Sequence, residues 1–324
     1  MNALRPTPKA TLSLAQASED FADKLAEARE ALTRASREHA HIKQASSLGA
    51  EDVVITHLIE KLKLPIPVFV LETGALHSET LALLERLQAR AHTKVEVFKP
   101  QQEAVLAFVR SPGQASIFES IENRKACCGI RKLEPLGRAL AGQRAWVTGL
   151  RREQSQARAD VAMQENDESQ GQPLVKFNPL VDWTWGDVWH YIHSQGVDYN
   201  PLHDQFYPSI GCAPCTRAIS LGEDFRAGRW WWEESGLKEC GIHVSADGSL
   251  RRVAPSQLAP GDVLRIATGE RCLADVTALA TATAIDNVSV TGSGAAATPE
   301  PSTLVMLGGG IAMLAIGAAR RKKA

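Results

Sequence analysis

Short β-branched and aromatic runs alternate with amphipathic segments through residues 41–148, and this alternation constrains the fold more than any other feature of the chain. Periodicity predicts helices around 53–62 and at 78–90, and it predicts strands at four places: 41–45, 67–71, 94–98 and 145–148. Strands that alternate with helices pair side by side in the same direction. The sequence therefore predicts an α/β fold with a doubly wound parallel sheet, which a chain of 324 residues is long enough to build.

Composition and periodicity divide the rest of the sequence into regions around that sheet. A polar loop is predicted at 153–173 and a capped helix at 182–195. From about Thr268 the composition shifts to Ala, Thr, Gly and Ser. We predict an N-terminal helical arm at 1–40, a main domain at 41–250, an extension and linker at 251–298, and a poorly ordered tail at 299–324.

Basic residues are concentrated between Arg124 and Arg158, where nine stand against two acidic ones, although the whole chain has a net charge of −1. An anionic ligand must therefore be bound by a local cluster, and nucleic acid is not an expected partner. Arg151 follows a predicted strand, and doubly wound sheets bind ligands at the carboxyl ends of their strands. A solvated helix face is the alternative explanation of this charge run.

The turn after the first predicted strand is a second candidate for anion binding. It carries hydroxyl groups, a glycine and an acidic residue, namely Ser46, Ser47, Gly49 and Asp52. Hydroxyls and free backbone N–H groups at a helix N-terminus can cradle a phosphate. Ordinary helix capping produces the same pattern, so the turn alone does not decide between the two.

Six cysteines are too sparse for a disulfide scaffold in a chain of this length, and no signal peptide is apparent, so we expect a reducing cytoplasm. Cys127 and Cys128 are adjacent, and Cys212 and Cys215 form a C-x-x-C turn. Four thiolates suit either a structural zinc ion or a [4Fe–4S] cluster, and the spacing does not separate the two. Buried cysteines without a ligand are the remaining alternative.

Cys240 stands apart from these four cysteines. Lys238 precedes it by two residues, His243 follows it by three, and Gly241 leaves the sulfur accessible. Cationic neighbours lower the pKa of a thiol and favour the nucleophilic thiolate. An isolated cysteine near a histidine is common, so the local sequence leaves a reactive and a structural role open.

Seven blocks in a fixed order are similar to those of a known family: SSLGAED, LETGALHSET, CCGIRKLEPLGRAL, WVTGLRREQSQAR, YNPLHDQFYPSIGCAPCTRA, GEDFRAGRWWWE and KECGIH. Residues 40–245 resemble the assimilatory sulfonucleotide reductases. The four paired cysteines resemble the iron–sulfur branch, which acts on adenosine 5′-phosphosulfate, whereas the branch using the 3′-phosphorylated nucleotide usually lacks them. The resemblance implies a sheet of the adenine nucleotide α-hydrolase-like type, in agreement with the alternation described above.

The resemblance also implies a role for each matched position. Cys240 would attack the sulfate sulfur and expel AMP, and thioredoxin or glutaredoxin would then release sulfite. A [4Fe–4S] cluster would be bound by Cys127, Cys128, Cys212 and Cys215. Together with Arg151, the residues expected to bind substrate are Ser46, Ser47, Gly49, Asp52, Lys132, Arg226, Arg229 and His243. Glu72 departs from the family pattern, which has Asp at this position; the longer side chain keeps the charge, and we expect activity to survive.

The C-terminal residues do not fit this family. Pro299-Glu300-Pro301, an apolar run at 304–319 and a final basic cluster resemble a PEP-CTERM sorting tail with one apolar helix. Sixteen apolar residues fall short of the ~20 that span a bilayer. Three explanations stay open: a fusion relic, a weak membrane anchor and a real sorting signal.

Other functions also stay open at this stage. The 3′-phosphorylated nucleotide is the alternative substrate. An ATP-dependent adenylating or sulfur-transfer enzyme of the same fold would need a Ser-Gly-Gly phosphate loop, where this chain has Ser47-Leu48-Gly49. A zinc-stabilised or surface-sorted binding protein is the non-enzymatic alternative, and a homo-oligomer is compatible with the sequence.

Overall fold

The structure, a computed structural model, describes five stretches and three isolated short strands of the chain. The stretches are 9–90, 94–155, 158–168, 172–220 and 222–233, and the isolated strands are 263–266, 277–278 and 312–315. The chain divides into two units, 1–249 and 250–324, which are described separately below.

Six strands form the central sheet of the first unit in the order β3-β2-β1-β4-β6-β5. Five of them run parallel, and only β5 is antiparallel, at the edge beside β6. The doubly wound parallel sheet is therefore confirmed. The strands are β1 (Ile42–Ser46), β2 (Val68–Leu71), β3 (Val95–Phe98), β4 (Ala145–Val147), β5 (Gln164–Asp167) and β6 (Leu174–Phe177).

Helices connect these strands. They are α1 (Phe21–Glu38), α2 (Ala50–Lys61), α3 (Ser78–Arg90), α4 (Gln102–Phe108), α5 (Ile121–Cys128), α6 (Glu134–Leu140) and α7 (Trp185–Gln195). Sequence pattern sets the ends of α7: the Thr184 hydroxyl accepts the Asp187 N–H, and Gly196 ends the helix with a φ of 63°. Between α5 and α6 the chain makes a π-helical turn at Gly129–Leu133, a feature frequent at functional sites.

Apolar side chains pack on both faces of the sheet. Val70 and Val147 point into a cluster formed with α1, α2, α3 and α7. Their neighbours Phe69 and Trp146 point the other way and pack against Leu136 of α6. Successive residues of a strand face opposite sides, so these two clusters are the two layers of core that a doubly wound sheet requires.

The strand order places a crevice at the carboxyl ends of the central strands β1 and β4. Strands β1, β2 and β3 proceed in one direction, whereas β4 returns to lie on the other side of β1. The connections after β1 and β4 therefore diverge, and ligands of doubly wound sheets bind at such a switch point. The residues that follow β1 and β4 are Ser47 to Gly49 and Thr148 to Gly149.

One prediction for the first unit was wrong in part. The segment 153–173, predicted as a polar loop, contains strand β5 at Gln164–Asp167, which pairs with β6. The sequence of β5 is polar throughout, so it carries no apolar alternation to reveal it. Its strand conformation comes from backbone pairing with β6, which lies beside it at the edge of the sheet.

In the second unit the described residues form a three-stranded sheet in the order β7-β9-β8, made of β7 (Val263–Ile266), β8 (Thr277–Ala278) and β9 (Ala312–Ala315). The strand β9 falls within the apolar run predicted as a helix, so the helix is not found at these four residues. Gly308 to Gly310 precede them, and each glycine weakens a helix by about 1 kcal/mol relative to alanine. The rest of the predicted tail lies outside the described residues. Across the part of the chain that is described, no helix combines the length and apolarity needed to cross a bilayer.

Candidate active site

A cavity opens at the switch point between β1 and β4. The turn after β1, the end of β2 and the turn after β4 line its floor, and Lys132, Arg158, Arg226 and Arg229 are the basic residues in its wall. Of the residues predicted to bind substrate, seven line this cavity: Ser46, Ser47, Gly49, Asp52, Lys132, Arg226 and Arg229. The fold thus brings together positions that are up to 183 residues apart in the sequence.

Asp52 organises the turn after β1. Its carboxylate accepts hydrogen bonds from the backbone N–H and the hydroxyl of Ser47, both at 2.7 Å. Burial raises the pKa of Asp52 to about 6, although the bonds from Ser47 oppose that rise. Leu48, which follows Ser47 in the turn, has a φ of 61° and is fully buried. A leucine is strained in that conformation, so the surrounding packing must maintain the shape of the turn.

Gly149 permits the turns after β1 and β4 to approach each other. A Cβ atom at Gly149 would lie 2.5 Å from Asp52 Oδ1 and 2.9 Å from Glu51 Cβ. Real Cβ contacts do not occur at such distances, so any larger residue would displace the carboxylate that holds Ser47. Only a glycine at this position therefore allows the two turns that line the cavity to lie this close together.

Arg151 does not line the cavity, contrary to the prediction that it binds substrate. Its guanidinium donates to Glu51 at 2.9 Å and to Glu153 at 2.6 Å, and it also reaches the Trp183 carbonyl at 3.1 Å. The side chain is 1% exposed, so its charge is already matched by carboxylates. Burial opposes ionisation of Glu51, but Arg151 prevails and lowers its pKa. Arg151 is thus a positioning residue behind the cavity wall.

Arg229 presents its guanidinium to the opposite end of the cavity. It donates to Ser209 Oγ at 3.1 Å and to the Ile210 carbonyl at 3.3 Å, while its buried Nε has no hydrogen-bond partner. Gly211 makes room for it, because a Cβ there would lie 2.6 Å from the guanidinium. A buried cation with an unsatisfied donor is suited to an anionic ligand.

The four paired cysteines meet in a second, smaller cavity. Cys127, Cys128, Cys212 and Cys215 are each 7–8% exposed, and none of the four is in a disulfide bond. Burial, together with the neighbouring thiols, raises the pKa of Cys215 to about 12. Within the described stretches, no three His, Cys, Asp or Glu side chains are arranged to hold a single metal ion.

Polar groups surround the thiols. The hydroxyl of Thr73 lies 3.3 Å from Cys212 Sγ, and Arg131, in the π-helical turn, donates to the Thr73 carbonyl at 2.7 Å. The indole N–H of Trp230 is buried without a partner in the same cavity. Lys132 lines both cavities, so one ammonium group is shared between the thiols and the anion-binding region.

Trp230 connects the two cavities through its ring. The guanidinium groups of Arg124 and Arg229 lie 4.6 and 4.7 Å from the indole centroid, distances typical of cation–π contacts. Arg124 lines the thiol cavity and forms two hydrogen bonds with Glu233, at 2.8 and 2.7 Å. Arg124, Trp230 and Arg229 therefore form a line of contacts from the cavity of the thiols to the larger, basic cavity.

Comparison with known proteins gives this arrangement a family. A family model described as the phosphoadenosine phosphosulfate reductase domain matches residues 41–218, more than half of the chain. The chain belongs to this family. Two relatives called adenosine 5′-phosphosulfate reductase are each 52% identical: the Burkholderia cepacia protein over 66% of this chain and 85% of its own length, and the Allochromatium vinosum protein over 70% and 86%.

A solved structure supports the fold of this reductase-family chain. The crystal structure of a phosphoadenylyl-sulfate reductase from Candida auris, in complex with phosphate, aligns with a TM-score of 0.51 and 27% identity. The alignment covers 63% of this chain and 98% of that one. A second family model, the P-type ATPase actuator domain, matches residues 238–312. That match covers less than a quarter of the chain, and most of its residues lie outside the described ones.

Sequence reasoning missed several residues of the reductase-family cavity. Gln154 and Arg158 line it, and Gln154 donates to Glu51 at 3.0 Å. His203 and Phe225 also line it. All four belong to the blocks that carry the family resemblance or directly adjoin them, but none has a local pattern that distinguishes a cavity residue from a packed one. Cys240 and His243, predicted as nucleophile and substrate ligand, lie outside the described residues.

Proposed function

We propose that this chain reduces adenosine 5′-phosphosulfate to sulfite and AMP with electrons from a dithiol protein, in the assimilation of sulfate. The observation that carries this proposal is the sharing of Lys132 between a cavity with four basic residues at the switch point of the sheet and a cavity of four buried thiols. The 52% identity to two adenosine 5′-phosphosulfate reductases supports the same substrate. The similarity to a reductase of the 3′-phosphorylated nucleotide is weaker, at 27% identity.

The cavity suits a nucleotide that carries two joined anionic groups. The turn after β1 offers the Ser46 hydroxyl group and the N-terminus of α2, where an anion is favoured by backbone N–H groups and the helix dipole. Ser47, which donates its N–H and its hydroxyl to Asp52, maintains the shape of this turn. Lys132 lines both cavities, Arg229 lies over the ring of Trp230, which lines the thiol cavity, and Arg226 lines the larger cavity. We assign the phosphate to the first region and the sulfate to the second.

We further propose that Cys127, Cys128, Cys212 and Cys215 bind a [4Fe–4S] cluster. The donor set fits, because four buried thiols line one small cavity, burial raises the pKa of Cys127 and of Cys215, and Trp230, whose indole N–H has no hydrogen-bond partner, lines the same cavity. A cluster of this type binds one thiolate at each iron, so its four ligands need not converge on one point. When bound, the cluster would supply local charge and organise the residues around it rather than carry electrons to the substrate.

Cys240 is our proposed nucleophile. Its thiolate attacks the sulfate sulfur; a sulfur–sulfur bond forms, the bond from sulfur to the bridging oxygen breaks, and AMP leaves with that electron pair. A thiolate of the reductant then attacks Cys240 Sγ, and sulfite leaves with the electrons of the sulfur–sulfur bond. The second thiol of the reductant resolves the mixed disulfide, which regenerates Cys240 and leaves the reductant oxidised. Thioredoxin or glutaredoxin is the proposed reductant, and the cytoplasm is the proposed location.

The cations of the cavity answer the main physical difficulty of this reaction, which is that an anion attacks an anion. Arg229 and Arg226 would neutralise the sulfate oxygens as Cys240 approaches, and Lys132 would do so from the thiol side. Fixed donors in a buried site need no reorganisation during the reaction, so they favour the transition state. Arg229 is maintained in place by Ser209, Ile210 and the space that Gly211 leaves.

The test is sulfite production by anaerobically purified protein with reduced thioredoxin, offered either adenosine 5′-phosphosulfate or its 3′-phosphorylated form. We expect sulfite from the unphosphorylated nucleotide and none from the Cys240→Ser variant. A Cys272→Ser variant, which changes a cysteine outside the proposed roles, should keep its activity. No sulfite from either nucleotide, with iron fully loaded, would overturn the proposal.

A further inference from the structure

His203 is a buried histidine of the cavity to which neither the family pattern nor the reaction above gives a role. It lies in a short helical turn at Pro201–Gln205, and it is 6% exposed. Asn200 anchors this turn: its side chain accepts the Leu202 N–H and donates to Thr80 Oγ1 at 2.8 Å. The imidazole packs edge-on against Trp189, with ring centroids 5.2 Å apart. The ring is therefore fixed in position by both backbone and packing.

The hydrogen bonds of His203 determine its tautomer. Nδ1 lies 2.8 Å from the backbone carbonyl of Tyr207, and a carbonyl oxygen can only accept, so Nδ1 carries the proton. Nε2 is then left with a lone pair, and it is buried without a hydrogen-bond partner. Burial lowers the pKa of His203 to about 4, although the nearby charge of Glu51 opposes that fall. At neutral pH the cavity thus contains an acceptor that lacks a donor.

A buried acceptor without a partner costs free energy unless a ligand supplies the donor. The phosphate and sulfate groups of the proposed substrate are acceptors only, so they cannot satisfy Nε2. The donors of an adenosine nucleotide are the exocyclic amine and the two ribose hydroxyls. His203 lies within electrostatic reach of Glu51, in the first turn of α2, where the phosphate is proposed to bind. The ribose is bonded directly to that phosphate, whereas the base lies one ring further away.

We propose that His203 is a substrate-recognition residue whose Nε2 accepts a hydrogen bond from a ribose hydroxyl of the nucleotide. This inference rests on the proposed function for the identity of the nucleotide. It adds a consequence for specificity: if the partner is the 3′-hydroxyl, a 3′-phosphate would place acceptor oxygens against an acceptor lone pair. The same residue would then favour the unphosphorylated nucleotide.

The test measures affinity for AMP, so it does not depend on catalysis. Dissociation constants of AMP, 2′-deoxy-AMP and 3′-deoxy-AMP are measured by titration calorimetry on the full-length protein. The variants are His203→Asn, which keeps a donor to Tyr207 but has no atom at the Nε2 position, and His203→Gln, which can return an acceptor to it. The control is His77→Asn, because His77 is a neighbour of the same residue, packing against the ring of Tyr207, but is not among the residues that line the cavity.

We expect the wild-type protein to bind one deoxynucleotide about tenfold more weakly than AMP. In His203→Asn that difference should disappear, with AMP itself bound about tenfold more weakly, and His203→Gln should restore part of it. The control should keep the wild-type difference. Whichever deoxynucleotide binds more weakly lacks the hydroxyl that His203 recognises. If that is 3′-deoxy-AMP, His203→Asn should also reduce the ratio by which the protein prefers AMP to adenosine 3′,5′-bisphosphate.

Two results would overturn the inference: equal wild-type affinity for AMP and both deoxynucleotides, or a loss in His203→Asn that is the same for all three ligands. Circular dichroism of each variant separates such a uniform loss from misfolding. A failure of the proposed reaction would appear in the sulfite assay instead, with AMP binding and its dependence on His203 intact.

Discussion

Glu233 is the residue whose replacement gives the sharpest test of how the site is stabilised. Its carboxylate forms two hydrogen bonds with Arg124, at 2.8 and 2.7 Å, and the two side chains are 3% and 1% exposed. Glu233→Gln keeps the shape but removes the negative charge, so the buried Arg124 loses the carboxylate that it pairs with. Breaking a buried pair in this way costs about 3–5 kcal/mol. Because the glutamine oxygen still accepts one bond, we expect about 3 kcal/mol.

That loss can be measured by thermal unfolding. For a unit of this size, each kcal/mol lowers Tm by about 2–4 °C, so Glu233→Gln should lower Tm by about 6–12 °C. Glu134→Gln is the matched control: Glu134 also forms two bonds with an arginine, Arg138, at 2.7 and 3.0 Å, but the pair is 40% and 39% exposed. Exposed pairs contribute about 0.5 kcal/mol, so the control should lose about 1–2 °C.

The double variant Arg124→Met with Glu233→Gln separates the lost attraction from the stranded charge. Removing both charges should recover at least half of the stability that Glu233→Gln loses, because no ion is then buried alone. The reasoning is refuted if Glu233→Gln unfolds within 2 °C of Glu134→Gln, or if the double variant is less stable than Glu233→Gln. Arg124 also lies over Trp230, so iron content measured in parallel reports whether the thiol cavity depends on the same pair.

Three further predictions concern the cavity floor and the thiols. Burial raises the pKa of Asp52 to about 6, so its destabilising ionisation develops as pH rises from about 4 to 6. The stability of Asp52→Asn relative to wild type, from urea unfolding, should therefore be about 2 kcal/mol more favourable at pH 7.5 than at pH 4. Gly149→Ala should weaken AMP binding and lower the free energy of unfolding by about 1–3 kcal/mol. Gly137→Ala is the control: this glycine lies in open space within a helix, so the change should raise the free energy of unfolding by about 0.5–1 kcal/mol. An equal effect of both changes would contradict the close approach of Gly149 to Glu51 and Asp52. Cys215→Ser should abolish iron retention after anaerobic reconstitution and Cys272→Ser should not, as measured by iron per chain; full iron in the first variant would remove Cys215 from the ligand set.

The sequence was sufficient for the parts of the fold whose residues are buried in a regular pattern. The helix Ser78–Arg90 has the bounds predicted for it, and the strand predicted at 67–71 is found at Val68–Leu71. Burial of one helix face leaves a period in the apolar residues, and burial of both strand faces leaves a short continuous apolar run. Strand β5 has neither pattern because its sequence is polar, and pairing with β6 alone makes it a strand.

The candidate site was predictable where chemistry is tied to residue type. Adjacent cysteines and a C-x-x-C turn predict thiols that act together, and hydroxyls before a helix predict an anion site. Arg151 shows the limit of that approach: its position after a strand suggested a ligand contact, whereas Glu51 and Glu153 neutralise it behind the wall. Partners so distant in the sequence decide whether a charge is available, and a single sequence does not show them.

His203 illustrates the opposite limit, because nothing in its local sequence marks it. Its importance follows from three facts that only the fold provides: the Tyr207 carbonyl that fixes the tautomer, the burial that leaves Nε2 without a hydrogen-bond partner, and the cavity that the residue lines. The cationic residues of the cavity attract any anionic nucleotide, so they cannot by themselves reject one with an additional phosphate. An uncharged acceptor beside the ribose can discriminate, because it accepts a hydrogen bond from a hydroxyl and repels the oxygens of a phosphate at the same position. We therefore expect affinity and discrimination to be separable in this cavity, with affinity dependent on Arg229 and its neighbours and discrimination dependent on His203.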